Sequence, residues 1–191
     1  MNGKLFLLVG ETSRGKDTAA RYLREKYGLE PVVSWTDRPP RIYETHGNEH
    51  YFMDETHKPD KDNIIVAYTK IGNVQYFATL DELLNKDIYI INPEGVESLK
   101  TTINERYDIP LQLVQIYITC LDSVAAKRSI IRGDDPEIFI KRSLDEKEQF
   151  HKYEIEKMYD YRVDNNNDVE DMYLYLDLIM EHEGIKKKEE S

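Results

Sequence analysis

Residues 4–17 read Lys4-Leu5-Phe6-Leu7-Leu8-Val9-Gly10-Glu11-Thr12-Ser13-Arg14-Gly15-Lys16-Asp17. The first six form an almost unbroken apolar run, the pattern of a strand buried on both faces of a parallel sheet. Gly10 to Lys16 then follow the spacing G-x-x-x-x-G-K, and Thr18–Tyr27 places Ala19, Tyr22, Leu23 and Tyr27 on one helical face before Gly28, a natural helix stop. In a strand, glycine loop and helix met in that order, the loop's backbone N–H groups wrap a phosphate. The helix N-terminus adds positive potential, and the lysine reaches between β- and γ-phosphates. Gly10, Glu11, Thr12, Ser13, Arg14, Gly15, Lys16, Asp17 and Thr18 are therefore expected to bind ATP. Asp17 stands where such loops usually carry a hydroxyl for Mg²⁺. Its carboxylate offers a hard oxygen to the metal, and Thr18 beside it offers the hydroxyl.

Outward from this stretch, apolar runs recur at Pro31–Val33, Asp87–Ile91, Leu111–Thr119 and, weakly, Tyr161–Asp164. Helical patterns lie between and after them at Glu94–Tyr107, Pro136–Met158 and Val169–Glu183, with Pro93 and Pro136 in first turns where proline is tolerated. Alternating strands and helices predict an α/β fold with a parallel five-stranded sheet in three layers. Residues 34–79 show no helix and only short strands, and residues 123–144 are helical, rich in arginine and interrupted at Gly133-Asp134-Asp135-Pro136. Both are expected to be excursions from a core made of residues 1–33, 80–122 and 145–185, within a single domain that ends in a solvated tail at 186–191.

The chain has 191 residues, with 26 Lys+Arg against 37 Asp+Glu, a formal charge of −11. Such an acid excess argues against nucleic-acid or anionic-membrane binding, so an anionic ligand needs a local basic cluster. The single Cys120 excludes an intramolecular disulfide, and no apolar stretch approaches a membrane span, which together lead us to expect a cytoplasmic protein, a monomer or a homodimer. His46, His50 and His57 lack metal-ligand spacing, and the Asp145–Glu148 and Glu154–Glu156 stretches read as solvated faces.

A second cluster, Ser34-Trp35-Thr36-Asp37-Arg38-Pro39-Pro40-Arg41, sets two arginines three apart in a proline-stiffened loop, a rigid pair of forks suited to one phosphate. Arg128 and Arg132, spaced i,i+4, point to one side of a helix. With Arg142 and Lys16 they would neutralise a transferring phosphoryl group, whose loose transition state spreads charge over its oxygens.

From Ser34 to Phe52 the chain resembles the guanylate kinase family pattern S-x-T-T-R-x-x-R-x-x-E-x-x-G-x-x-Y-x-F. Asp37 replaces a threonine, and one residue is read as added before Tyr51. The likeness extends to Gly72-Asn73 and Tyr76–Thr79, to Arg128, Ile131-Arg132-Gly133 and Ile140–Leu144, and to Tyr159–Asn165. It implies a P-loop kinase in which Ser34, Arg38, Arg41, Tyr51, Tyr76, Thr79 and Asn92 bind the acceptor monophosphate. It also implies that Asn165 lies near adenine, that residues 34–79 and 123–144 form acceptor-binding and lid subdomains, and that Lys16, Arg38, Arg128, Arg132 and Arg142 are catalytic.

By the same alignment, the two family acids that read guanine fall at Val66 and Asn92, leaving Tyr68, Thr69 or Glu49 as substitutes. The G-K-D ending and the asparagine after the third strand also resemble ribose 1,5-bisphosphate kinases, and G-K-D-T resembles some viral deoxynucleoside monophosphate kinases. The expected activity is transfer from ATP, with Mg²⁺ anchored by Asp17, to GMP or dGMP. The alternatives are a base-less sugar phosphate or a non-guanine nucleotide as acceptor, and an inactive domain that binds proteins.

Overall fold

The structure, a computed structural model, describes residues 3–41, 44–48, 50–107 and 109–188. Glu49 and Glu189–Ser191 therefore lie outside the described residues. The central sheet has the parallel order β6-β1-β7-β8, built from β1 (Lys4–Val9), β6 (Ile88–Ile91), β7 (Gln112–Thr119) and β8 (Tyr161–Asp164). The expected fifth strand at Pro31–Val33 is reduced to a single parallel bridge from Pro31 to Ile88 at the edge of β6. The run is three residues long and passes directly into the second sheet at Ser34, too short for a full ladder.

β1 is buried on both sides, as its unbroken apolar run requires. Leu5, Leu7 and Val9 pack with Val96, Leu99, Phe150 and Tyr153, contributed by α3 (Pro93–Lys100) and α5 (Pro136–Ile155). Phe6 and Leu8 pack with Ala19, Leu23, Met172 and Leu176 from α1 (Lys16–Tyr27) and α6 (Val169–His182). The result is three layers with the glycine loop at the carboxyl end of the central strand, where α/β sheets open their binding crevice.

A second sheet, ordered β3-β2-β5-β4, comprises β2 (Ser34–Thr36), β3 (His50–Phe52), β4 (Ile65–Ile71) and β5 (Val74–Thr79), followed by the short α2 (Leu80–Leu84). β4 carries a bulge between Val66 and Thr69, where Ala67 takes a left-handed φ of 54°. The helix expected over 94–107 starts at Pro93, capped by the Asn92 side chain, and after Lys100 widens into a π-helical segment, Thr101–Arg106. α4 (Asp122–Arg132) ends on Gly133, and α5 begins at Pro136 under an Asp135 cap. Among the described residues no helix is long and apolar enough to cross a membrane.

Candidate active site

Gly10–Gly15 joins β1 to α1 in a tight turn that its glycines make possible. Gly15 has φ 103°, and a Cβ there would lie 2.4 Å from the Asn165 side-chain nitrogen; at Gly10 it would lie 2.3 Å from the Ile118 carbonyl oxygen. The loop is therefore pressed against the ends of β7 and β8. Arg14 fastens it there: the buried guanidinium pairs with Glu11 and Asp122 and donates to the Cys120 carbonyl. Arg14 is thus turned under the loop and away from its mouth. Burial opposes its charge, and the hydrogen bonds to Cys120 and Asp122 overcome that, holding it firmly cationic.

Lys16 folds over the loop, donating to the carbonyls of Gly10 at 2.6 Å and Glu11 at 2.7 Å. Burial lowers its pKa, and the charge of Glu146 is the largest influence in the other direction. Glu146 lies on α5 in the stretch read from sequence as a solvated face, yet it is 3% exposed. The tertiary packing of α5 turns it inward, where one carboxylate oxygen accepts the Thr12 N–H at 2.8 Å and the other the Arg142 Nε–H at 2.9 Å.

The three arginines of α4 and α5 all reach this loop. Arg142 does so through Glu146, and Arg132 donates to the Ser13 hydroxyl at 3.1 Å while pairing with Asp134. Arg128 donates to the Asn165 side-chain oxygen at 3.2 Å, and its other terminal nitrogen is buried with no hydrogen-bond partner. Asn165 is accordingly a brace under the loop: its side-chain nitrogen donates to the Arg14 carbonyl at 2.9 Å, so both ends of the amide are engaged with the protein. Asp17 is exposed at the start of α1 and has no ion-pair or hydrogen-bond partner among the described residues, and Thr18 beside it is half-buried. Among the described residues no group of three or more His, Cys, Asp or Glu side chains is arranged to hold a metal.

The second sheet presents a polar face. Strand pairing aligns Ser34 with His50, Thr36 with Phe52 and Tyr76, and Tyr76 with Thr69, so these side chains share one side. Ser34 Oγ lies 2.9 Å from His50 Nδ1. Arg38 stacks over the Phe52 ring at 5.3 Å, and its two terminal nitrogens grip Glu44 at 2.6 and 2.7 Å. Glu44 also accepts the Arg41 N–H at 2.8 Å, which fixes the two arginines relative to each other. Burial pushes the Glu44 carboxyl upward, and the bonds from Arg38 and Arg41 reverse this and hold it below the usual carboxylate range. Arg38 Nε remains buried and unpartnered.

Tyr51 does not join this group. It lies on the opposite face, stacked on Trp35 with ring centroids 4.7 Å apart and its hydroxyl donating to Glu82 at 3.1 Å. His50 stands in its place beside Ser34 and 5.8 Å from the Tyr76 ring. Burial, and then the charge of Arg38, lower the His50 pKa to about 4, so the ring is neutral at pH 7. Thr79 caps α2 by accepting the Glu82 N–H at 3.4 Å, and is buried. Asn92 is likewise engaged: its oxygen caps α3 at Gly95, and its nitrogen donates to Thr69 at 3.1 Å and Gln149 at 2.9 Å. Val66 is buried in the core, whereas Glu94, unmarked by sequence reasoning, accepts from the Thr69 hydroxyl at 3.2 Å. The polar face and the glycine loop are near enough to act on each other electrostatically. Asp17 contributes to the potential at His50, and Arg41 to that at Asp134.

A guanylate kinase family profile matches residues 2–183. The chain belongs to the guanylate kinase family. It is 27% identical over 191 residues to the guanylate kinase of Fusobacterium nucleatum, covering 96% of this chain and 98% of that protein. Against the guanylate kinase of Hyphomonas neptunium it is 24% identical over 196 residues, covering 97% and 86%. A match to the Bacteroides thetaiotaomicron guanylate kinase is 32% identical over 91 residues, 46% of this chain and 45% of that protein. The crystal structure of guanylate kinase from Anaplasma phagocytophilum superposes with a TM-score of 0.59 at 16% identity, covering 96% of this chain and 87% of that one, a likeness of fold. In this chain the α4 and α5 arginines are joined to the glycine loop directly or through Asn165 and Glu146, Arg38 and Arg41 are joined through Glu44, Tyr51 faces Trp35 and Glu82, and Thr79 caps α2.

Proposed function

We propose that this member of the guanylate kinase family transfers the γ-phosphoryl group of ATP to GMP or dGMP, releasing ADP and the nucleoside diphosphate. Family membership supports a nucleoside monophosphate kinase. One observation carries the reading: Arg132 bonds to the glycine loop around Lys16, Arg128 and Arg142 bond to Asn165 and Glu146, which hold that loop, and a separate Arg38–Glu44–Arg41 cluster stands on the second sheet. A phosphoryl group in flight between two anionic oxygens needs cations on both sides and little else. The acceptor phosphate is already anionic, so no general base is needed.

In this reading the loop amides other than that of Thr12, which Glu146 holds, and Lys16 bind the donor phosphates, and Arg128, Arg132 and Arg142 close over the transferring group as residues 123–144 shut out water. Arg38, Arg41, Ser34, Tyr76 and His50 hold the acceptor phosphate. The unpartnered nitrogens of Arg128 and Arg38 are natural phosphate donors. Asp17, a hard-oxygen ligand with no competing partner among the described residues, fits Mg²⁺ arriving with the nucleotide, and Thr18 stands next to it. The metal supplies neutralisation of the donor phosphates.

Glu94 supports guanine as the base. Its carboxylate accepts from Thr69, whose strand partner is Tyr76, so it borders the polar face on which this reading seats the acceptor. A carboxylate accepts the N1–H and 2-amino donors that guanine presents together. A panel of monophosphates and ribose phosphates in a coupled ADP-release assay tests the proposal. The expected result is a clear preference for GMP or dGMP; preference for a base-less sugar phosphate, or failure to bind ATP, would overturn it.

A further inference from the structure

Glu146 is a buried carboxylate that no part of the phosphate-binding reading requires. A like charge beside incoming phosphates costs binding energy unless it performs a task. Its two oxygens divide cleanly: one takes the Thr12 N–H of the glycine loop, the other the Nε–H of Arg142 one helical turn before it on α5. Gripped by Nε, Arg142 keeps both terminal nitrogens without a partner among the described residues. It also stands close enough to Lys16 to oppose that amine's charge. An arginine on a free stem samples many rotamers, and ordering it during reaction has an entropic cost of about 1–2 kcal/mol.

We propose that Glu146 is a positioning residue for phosphoryl transfer, clamping Arg142 to the glycine loop so that its planar fork is aimed at the transferring group before the substrates meet. The inference rests on the kinase reading above. Glu146 itself touches no substrate. Because it is fixed to the Thr12 amide, any movement of the loop is transmitted to the arginine, and its negative charge offsets the desolvation of Lys16. A device of this kind favours the transition state more than the bound ground state, so its loss appears in turnover and not in nucleotide affinity.

The test is a double-mutant cycle on the full chain with ATP and GMP, together with ATP affinity by calorimetry. Glu146→Ala is expected to lower kcat about 10- to 100-fold, with ATP affinity within threefold of wild type or tighter. Arg142→Ala should show a similar loss, and the double variant should be no worse than Arg142→Ala by more than about threefold. Glu146→Gln keeps the volume should alanine fail to fold. It must present an N–H to one of two N–H donors, so it breaks one bond and loses part of kcat. Multiplicative losses in the double variant, equal losses in affinity and kcat, or near-normal kcat in Glu146→Gln and Glu146→Ala would each overturn the inference. The Arg142 Nε–H proton, read by NMR, should exchange slowly in wild type and fast in Glu146→Gln. A wild-type protein that transfers no phosphoryl group would therefore overturn the kinase reading, while a fast-exchanging wild-type proton would overturn this one.

Discussion

Ser34 Oγ and His50 Nδ1 lie 2.9 Å apart across two paired strands, on the face that carries Arg38 and Tyr76. With Nδ1 engaged by the hydroxyl, Nε2 is the ring nitrogen left for an acceptor phosphate. His50→Phe is expected to raise the KM for the monophosphate about tenfold, the scale of one lost hydrogen bond to a charged group, and to leave the KM for ATP unchanged. His50→Tyr restores a hydroxyl and should recover most of that loss. Steady-state kinetics with each substrate varied in turn checks both.

The same imidazole sets a pH dependence of stability. Its pKa is about 4 in the fold, against an ordinary value of 6.5, because it is buried and faces Arg38; Glu44, Ser34 and Asp17 act in the opposite direction. Between these values the unfolded chain binds a proton that the folded chain does not. Stability is therefore full above pH 6.5 and falls as pH drops toward 4. Thermal melts from pH 7.5 to 4.5 should show a steeper decline for wild type than for His50→Gln.

Glu94→Ala removes the carboxylate beside Thr69 while leaving Asn92 to cap α3. The expected loss in kcat/KM for GMP is roughly 5- to 100-fold, about 1–3 kcal/mol of discrimination, with much less change for a monophosphate whose base lacks paired N–H donors. Equal losses for both acceptors would show that Glu94 does not read the base.

Gly15→Ala puts a Cβ 2.4 Å from the Asn165 side-chain nitrogen at a φ of 103°. Either clash or strain displaces the brace under the loop, so a stability loss of about 1–3 kcal/mol is expected, with weakened ATP binding. Asn165→Ala in the same background should relieve the clash and return part of the melting temperature, though not the ATP affinity.

Lys16→Ala should keep a melting temperature close to wild type, because the amine's hydrogen bonds go only to loop carbonyls. Turnover should fall about 10²- to 10⁴-fold, as when one strong electrostatic contributor is lost from a transfer site. Calorimetric unfolding beside a turnover assay separates the two effects.

The strand, glycine loop and helix from Lys4 to Tyr27 were legible because their signals are local: an apolar run, glycine spacing and a helical stripe. Tyr51 was misplaced by a one-residue slip, which in a strand carries a side chain to the other face. Read without the added residue, Ser34 and the position 16 residues later pair His50 with the family tyrosine, and the structure pairs them in the same way. Glu146 gave no sequence signal. It sits among charged neighbours, and only the packing of Phe150 and Tyr153 one and two turns later fixes which side of α5 faces inward. Asn92 and Asn165 were read as ligand contacts because an amide's partners depend on the fold around it, and here each amide is engaged with the protein. The widening of α3 into a π-helical segment has no sequence marker that we can identify.

Asn92 is one side chain at the meeting point of three elements. Its nitrogen holds Thr69 of β4 and Gln149 of α5, and its oxygen holds the first turn of α3. Neither the second sheet nor α5 can slide past α3 without giving up a hydrogen bond at this single amide, so the register of the two sheets and of α5 is fixed at one side chain.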